Sequence, residues 1–149
     1  MKKKIIVALI PARQGSQRLK DKNILKLNNH PLLAYSIKSA IDSKIFDKVI
    51  CVTDSKKYAK IAENYGAYVP SIRPKVISGS KSQDILWVKW AVNELVKKEI
   101  DCNIFSILRP TSPFRKASTI KRAFKIFFKS NIIDSLRAVE LCSQHPGKM

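Results

Sequence analysis

The side chains best suited to chemistry are concentrated between positions 10 and 23, in the run I-P-A-R-Q-G-S-Q-R-L-K-D-K-N. It holds Pro11, Gly15, a hydroxyl at Ser16 and the cations Arg13, Arg18, Lys20 and Lys22. Fixed positive charge beside a glycine and a hydroxyl suits an anionic ligand, and a polyphosphate above all, because backbone N–H groups and cations can surround it. A solvated basic loop in a lysine-rich chain is the alternative. The run is too polar for a core and too poor in apolar positions for an amphipathic helix, so it reads as a loop.

The elements around it give that loop a place. Ile5-Ile6-Val7-Ala8-Leu9 is a short apolar run and reads as a buried strand. In an open α/β sheet, ligands bind outside the carboxyl ends of the strands, where this loop begins. Residues 24–27 read as a short extended piece and Asn28-Asn29 as a turn. Pro31 suits the first turn of a helix whose stripe is Leu33, Ala34, Ile37, Ala40 and Ile41. Residues 48–53 read as a second strand, and Asp54-Ser55 caps a helix with Tyr58, Ile61, Ala62 and Tyr65 on one face, ended by Gly66.

A short strand at 67–69 stops at Pro70, and an irregular loop with Arg73, Pro74 and Gly79 leads to a helix over 82–98. Ile85, Val88, Ala91, Val92 and Leu95 face inward there, with Trp87 and Trp90 as packing residues at the flanks. A strand at 103–108 runs into a second loop at 109–115. A helix at 117–129 buries Ile120, Phe124, Phe127 and Phe128, and 135–139 reads as a last strand. Strands alternating with helices predict right-handed βαβ units in one α/β domain, with a mostly parallel sheet and helices on both faces.

Composition narrows the partners. The chain has 149 residues and 45% hydrophobic content, ordinary for one globular domain. No apolar run approaches the roughly 20 residues of a membrane span. Met1-Lys2-Lys3-Lys4 before a short apolar stretch has the charge of a signal peptide but not its length, and Pro11 and Arg13 close it, so a cytoplasmic protein is expected. Cys51, Cys102 and Cys142 have no metal-ligand spacing, and the first two fall in predicted strands as small hydrophobes.

The formal charge of +18 raises nucleic acid as a partner. Of the 29 basic residues only seven are Arg, and no basic run is interleaved with aromatics. A lysine-biased composition explains the excess more simply, so nucleic acid is not expected as the main partner. The field would still attract a nucleoside triphosphate.

Pro11-Ala12-Arg13, Gly15-Ser16 and Lys22-Asn23 together resemble the nucleotide-binding signature of the sugar-acid cytidylyltransferases, which make CMP-N-acetylneuraminate, CMP-legionaminate and related CMP-sugars. The resemblance implies a Rossmann-like nucleotidyltransferase sandwich of the glycosyltransferase-A-like kind. It implies catalytic roles for Arg13 and Lys22, and nucleotide contacts from Pro11, Ala12, Gly15, Ser16 and Asn23. Residues 108–115 resemble the family's L-x-P-T-S-P-x-R motif and imply substrate contacts from Arg109, Pro110, Thr111, Ser112 and Arg115. Relatives usually carry Gln where this chain has Arg109, near the sugar acid. Arg73-Pro74 resembles a pair that lies by the cytosine, and Ser82 follows as a nucleotide contact. Ser80 and Lys81 stand where relatives often have Asp-Thr. Residues 134–139 and His145-Pro146-x-Lys148-Met149 resemble the family's central region, with His145 read as a loop residue and not a catalyst.

The implied reaction is attack by a nonulosonic acid's anomeric hydroxyl on the α-phosphate of CTP, giving CMP-sugar and pyrophosphate. Charge builds on both phosphate groups, and fixed cations lower that barrier. Relatives hold magnesium with a later Asp-x-Asp pair and form homodimers. Here the acidic pair two apart is Glu99 and Asp101, at the wrong end of the sheet, so no metal ligands are expected in this chain. The expectation is a C-terminally truncated member. A CMP-Kdo synthetase or another sugar nucleotidyltransferase is a nearby alternative. A basic nucleotide- or nucleic-acid-binding module without turnover is an alternative of a different class.

Overall fold

The computed structural model describes residues 5–16 and 19–139. Its elements are β1 (Ile5–Pro11), β2 (Lys26–Leu27), β3 (His30–Pro31), α1 (Leu32–Ser43), β4 (Lys48–Val52), α2 (Lys56–Asn64), α3 (Asp84–Lys97), β5 (Cys102–Ile107) and α4 (Ala117–Lys129), with 3₁₀ turns at Lys22–Ile24 and Lys75–Ile77. Three strands form a parallel sheet in the order β4-β1-β5. Leu9 of β1 lies opposite Ile50 on one side and Ile107 on the other. Parallel pairing places the exits of all three strands at one end of the sheet.

Alternation along β1 divides the core. Ala8 and Ile10 pack with Leu33 and Ile37 of α1, Ala62 of α2, and Ile120 and Phe124 of α4. Val7 and Leu9 pack on the other face with Trp87, Val88, Ala91 and Leu95 of α3. A strand buried on both faces reads as a continuous apolar run, as residues 5–10 do. Burying each Leu or Ile side chain contributes about 2 kcal/mol, so these two layers hold the sheet between the helices. Asn28 and Asn29 both adopt positive φ, 46° and 65°, and make the two-residue turn between β2 and β3. Ser55 caps α2, accepting from the Tyr58 N–H, and Gly66 closes it at φ 91°.

Several details differ from the sequence reading. Residues 135–139 form no strand and are exposed throughout. Their alternation could make a strand only beside a partner, and no pairing joins them to β5 at the sheet edge. Residues 67–69 contribute a single bridge, Tyr68 to Ile50. Ile41, Ile85 and Phe128 lie on their helices' predicted inner stripes yet are 42%, 50% and 51% exposed, at the margins of the packed layers. Trp87 is buried, as expected of a packing residue. Lys4, Arg18, Cys142 and residues 145–149 lie outside the described residues. No helix among the described residues is long and apolar enough to cross a membrane.

Candidate nucleotide site

Three loops, two leaving β1 and β5 and one following α2, enclose a crevice of about 520 Å³ at the carboxyl ends of the strands. The first continues from β1. Pro11 ends the strand, and Ala12 donates its N–H to the Val52 carbonyl at 2.9 Å, holding the loop against the end of β4. Gln14 N–H donates to Asp54 Oδ1 at 2.8 Å, and Gly15 turns the chain at φ 74°, a conformation glycine adopts without strain. The loop returns through Asp21, at φ 53°, into the turn Lys22–Ile24. Asn23 is buried there, and its Nδ2 donates to the Arg13 carbonyl at 3.0 Å, clasping the two limbs of the loop. Arg13, Ser16, Lys22 and Asn23 line the crevice.

The second loop follows α2. Arg73 N–H donates to the Thr53 carbonyl at 2.8 Å, fixing the loop to the end of β4. Arg73 is only 3% exposed. Its Nε donates to Ser78 Oγ at 2.9 Å, while Arg13 Nη1 reaches the Ser78 carbonyl at 3.5 Å. Two guanidinium groups thus share one residue, and Arg73 Nη2 is buried with no acceptor among the described residues. Burial lowers the Arg73 pKa and nearby Arg13 lowers it further, partly offset by Asp54. A buried donor without an acceptor is costly, and an incoming anion or carbonyl would relieve that cost.

The third loop follows β5. Leu108 N–H donates to the Leu9 carbonyl at 2.9 Å, and the Arg109 carbonyl accepts from Ser36 Oγ at 3.2 Å. The Arg109 guanidinium pairs with Asp84 in the first turn of α3. Asp84 also accepts the Trp87 indole N–H at 2.8 Å. That hydrogen bond, with help from Arg109, holds the Asp84 carboxyl below the usual carboxylate range.

The geometry brings ten of the expected residues to this crevice: Pro11, Arg13, Ser16, Lys22, Asn23, Arg73, Ser82, Arg109, Pro110 and Thr111. Four others do not line it. Ala12 is fully buried and supports the loop from beneath. Gly15 and Ser112 are both exposed and do not line the crevice. Arg115 is half-buried behind its loop, where Nη2 donates to the Arg109 carbonyl at 3.4 Å, so it braces the loop and does not reach into the crevice. Sequence reasoning missed Asp84, Ile77, Gly79 and Ser80 as lining residues, and gave Trp87 a packing role alone. The Asp84-to-Trp87 spacing of one helical turn was the available signal.

Magnesium prefers several hard oxygen ligands. Among the described residues no group of three His, Cys, Asp or Glu side chains comes together, and the one carboxylate lining the crevice, Asp84, is paired with Arg109. Among the described residues, the protein oxygen that could share a cation with a bound triphosphate in this crevice is the Asp84 carboxylate, once released from Arg109.

The cytidylyltransferase family model matches residues 7–142. The chain is 43% identical over 122 residues to an N-acylneuraminate cytidylyltransferase of Escherichia coli O18:K1:H7, covering 82% of this chain and 28% of that protein. It is 38% identical over 121 residues to a CMP-N,N'-diacetyllegionaminic acid synthase of Legionella pneumophila, covering 81% of this chain and 52% of the relative. Among solved structures it is similar to a CMP:2-keto-3-deoxy-manno-octonic acid synthetase complexed with CTP, with a TM-score of 0.72 at 16% identity, covering 87% of this chain and 49% of that one. The fold is therefore Rossmann-like. The chain spans from about a quarter to half the length of the relatives named here.

Proposed function

Because the chain belongs to the cytidylyltransferase family, we propose that its crevice binds CTP and forms the nucleotide half of a transfer to a nonulosonic acid. The observation that carries this reading is the convergence of Arg13, Lys22, Arg73 and Arg109 on one crevice at the strand ends, with Arg73 Nη2 buried and lacking an acceptor. Arg13 and Lys22, held at the two limbs of one clasped loop, stabilise the charge that develops on the α-phosphate and on the departing pyrophosphate. Ser16 donates a hydrogen bond to phosphate oxygen, and Arg73 with Ser82 contacts the nucleotide. Pro110 and Thr111 shape the wall on the acceptor side. The acceptor's hydroxyl oxygen bonds to the α-phosphorus, the bond from that phosphorus to the β-phosphate bridging oxygen breaks, and the hydroxyl proton leaves to solvent. Magnesium, where used, would arrive with the triphosphate.

Calorimetric titration with CTP, ATP and single-stranded DNA over a salt series tests the reading. Saturable, CTP-selective binding is expected. Binding to DNA with a steep salt slope and no CTP preference would instead mark a general polyanion binder. Pyrophosphate release with a panel of nonulosonic acids then measures turnover by the 149-residue chain.

A further inference from the structure

Asp84 is the one carboxylate that lines the crevice among the described residues, and the nucleotide reading leaves it unused. Resting on that reading, we propose that Asp84 is a resident carboxylate that holds Arg109 until the acceptor's carboxylate replaces it, so that Arg109 selects acceptors bearing a carboxylate.

Arg109 has a fixed base and a movable head. Its carbonyl accepts from Ser36 Oγ, from Arg115 Nη2 and from the Ser112 N–H, while its side chain is 50% exposed. Asp84 does not depend on Arg109 for a partner. Its other oxygen keeps the Trp87 indole N–H, and its place in the first turn of α3 favours negative charge. When Arg109 swings to the arriving carboxylate, Asp84 keeps the indole hydrogen bond and, at 54% exposure, its contact with water.

An arriving carboxylate offers the guanidinium the same acceptor geometry that Asp84 provided, so the exchange is nearly balanced. A neutral acceptor offers no such replacement and must leave the Arg109–Asp84 pair intact or break it without compensation. Selectivity then arises from the cost imposed on the wrong partner. The nucleotide has other cations to bind, Arg13, Lys22 and the unpartnered Arg73 Nη2, so the triphosphate does not need Arg109.

The test uses the ¹⁵N-labelled chain with CTP bound in the absence of divalent metal, following the Trp87 indole N–H as a reporter of Asp84. The probes are N-acetylneuraminate and its methyl ester. The acid should shift the indole signal and the ester should not. Arg109→Gln should weaken binding of the acid by about tenfold or more, and Asp84→Asn should tighten it by about fivefold, within the range of one charge-assisted hydrogen bond. In the Arg109→Gln background, Asp84→Asn should have no further effect. Equal tightening by Asp84→Asn in both backgrounds would show a general field effect and overturn the exchange. Equal binding of acid and ester, no binding of the acid, or the same indole shift from CTP alone would overturn it too. If CTP itself shows no selective, saturable binding, the proposed CTP site fails; if CTP binds and only the acid arms fail, the Arg109–Asp84 exchange fails alone.

Discussion

Arg13 and Lys22 sit at opposite limbs of one loop, and Asn23 ties the limbs together through the Arg13 carbonyl. Each cation is therefore held near the crevice before any ligand arrives. Lys22→Ala and Arg13→Ala should each weaken CTP binding by about tenfold, the size of one charged hydrogen bond. Lys125→Ala, on the exposed face of α4, should change it less than twofold, because salt screens a charge held in water. Equal losses for all three, measured by calorimetry, would indicate non-specific attraction by the net charge. Tyr58 acts on the same loop from below. It is fully buried, and its hydroxyl donates to Asp21 Oδ1 at 2.8 Å, one residue before Lys22. Tyr58→Phe should cost about 1 kcal/mol of stability in urea unfolding and weaken CTP binding, with no added effect on binding in a Lys22→Ala background.

At the level of elements, β4 carries a second buried titratable group. Desolvation pushes the Cys51 thiol from 9.0 up to about 12, with Arg73 acting in the opposite direction. A folded-state pKa above the unfolded value means full stability below about pH 9. Stability then falls as pH rises toward 12, because the unfolded thiol ionises while the buried one cannot. Urea unfolding from pH 7 to 10.5 should show that decline, and Cys51→Ala should make it shallower. An unchanged slope would place the alkaline sensitivity elsewhere. The native thiol should also resist alkylation at pH 8 until the chain unfolds.

On the scale of the whole molecule, the described sheet ends at β5, with Phe105 and Ile107 exposed at 42% and 37% along that edge. On α4, Ile126 and Phe128 are 54% and 51% exposed. An uncovered edge strand with apolar side chains is a template for association. Sedimentation velocity should show self-association rising with concentration, reduced by Phe105→Lys. A monomer at all concentrations for the unaltered chain would refute this.

The local order of elements was legible from residues 5–129 because strands, turns and caps depend on near neighbours: an apolar run before Pro11, two asparagines at a two-residue turn, a serine before α2, a glycine after it. The cationic loop was legible for the same reason, since Arg13, Ser16 and Lys22 lie within ten positions of one another. Tertiary structure alone decided which distant groups meet. Whether Arg73 is buried beside Arg13, whether Arg109 faces Asp84, and whether Arg115 reaches the crevice or braces the loop behind it depend on how separate loops and the start of α3 fold against one another. The same holds for 135–139, whose alternating pattern specifies a strand only if a partner lies beside it. Hydrogen bonds and ion pairs act over about 3 Å, and sequence spacing does not determine separations at that scale once the chain has folded back on itself.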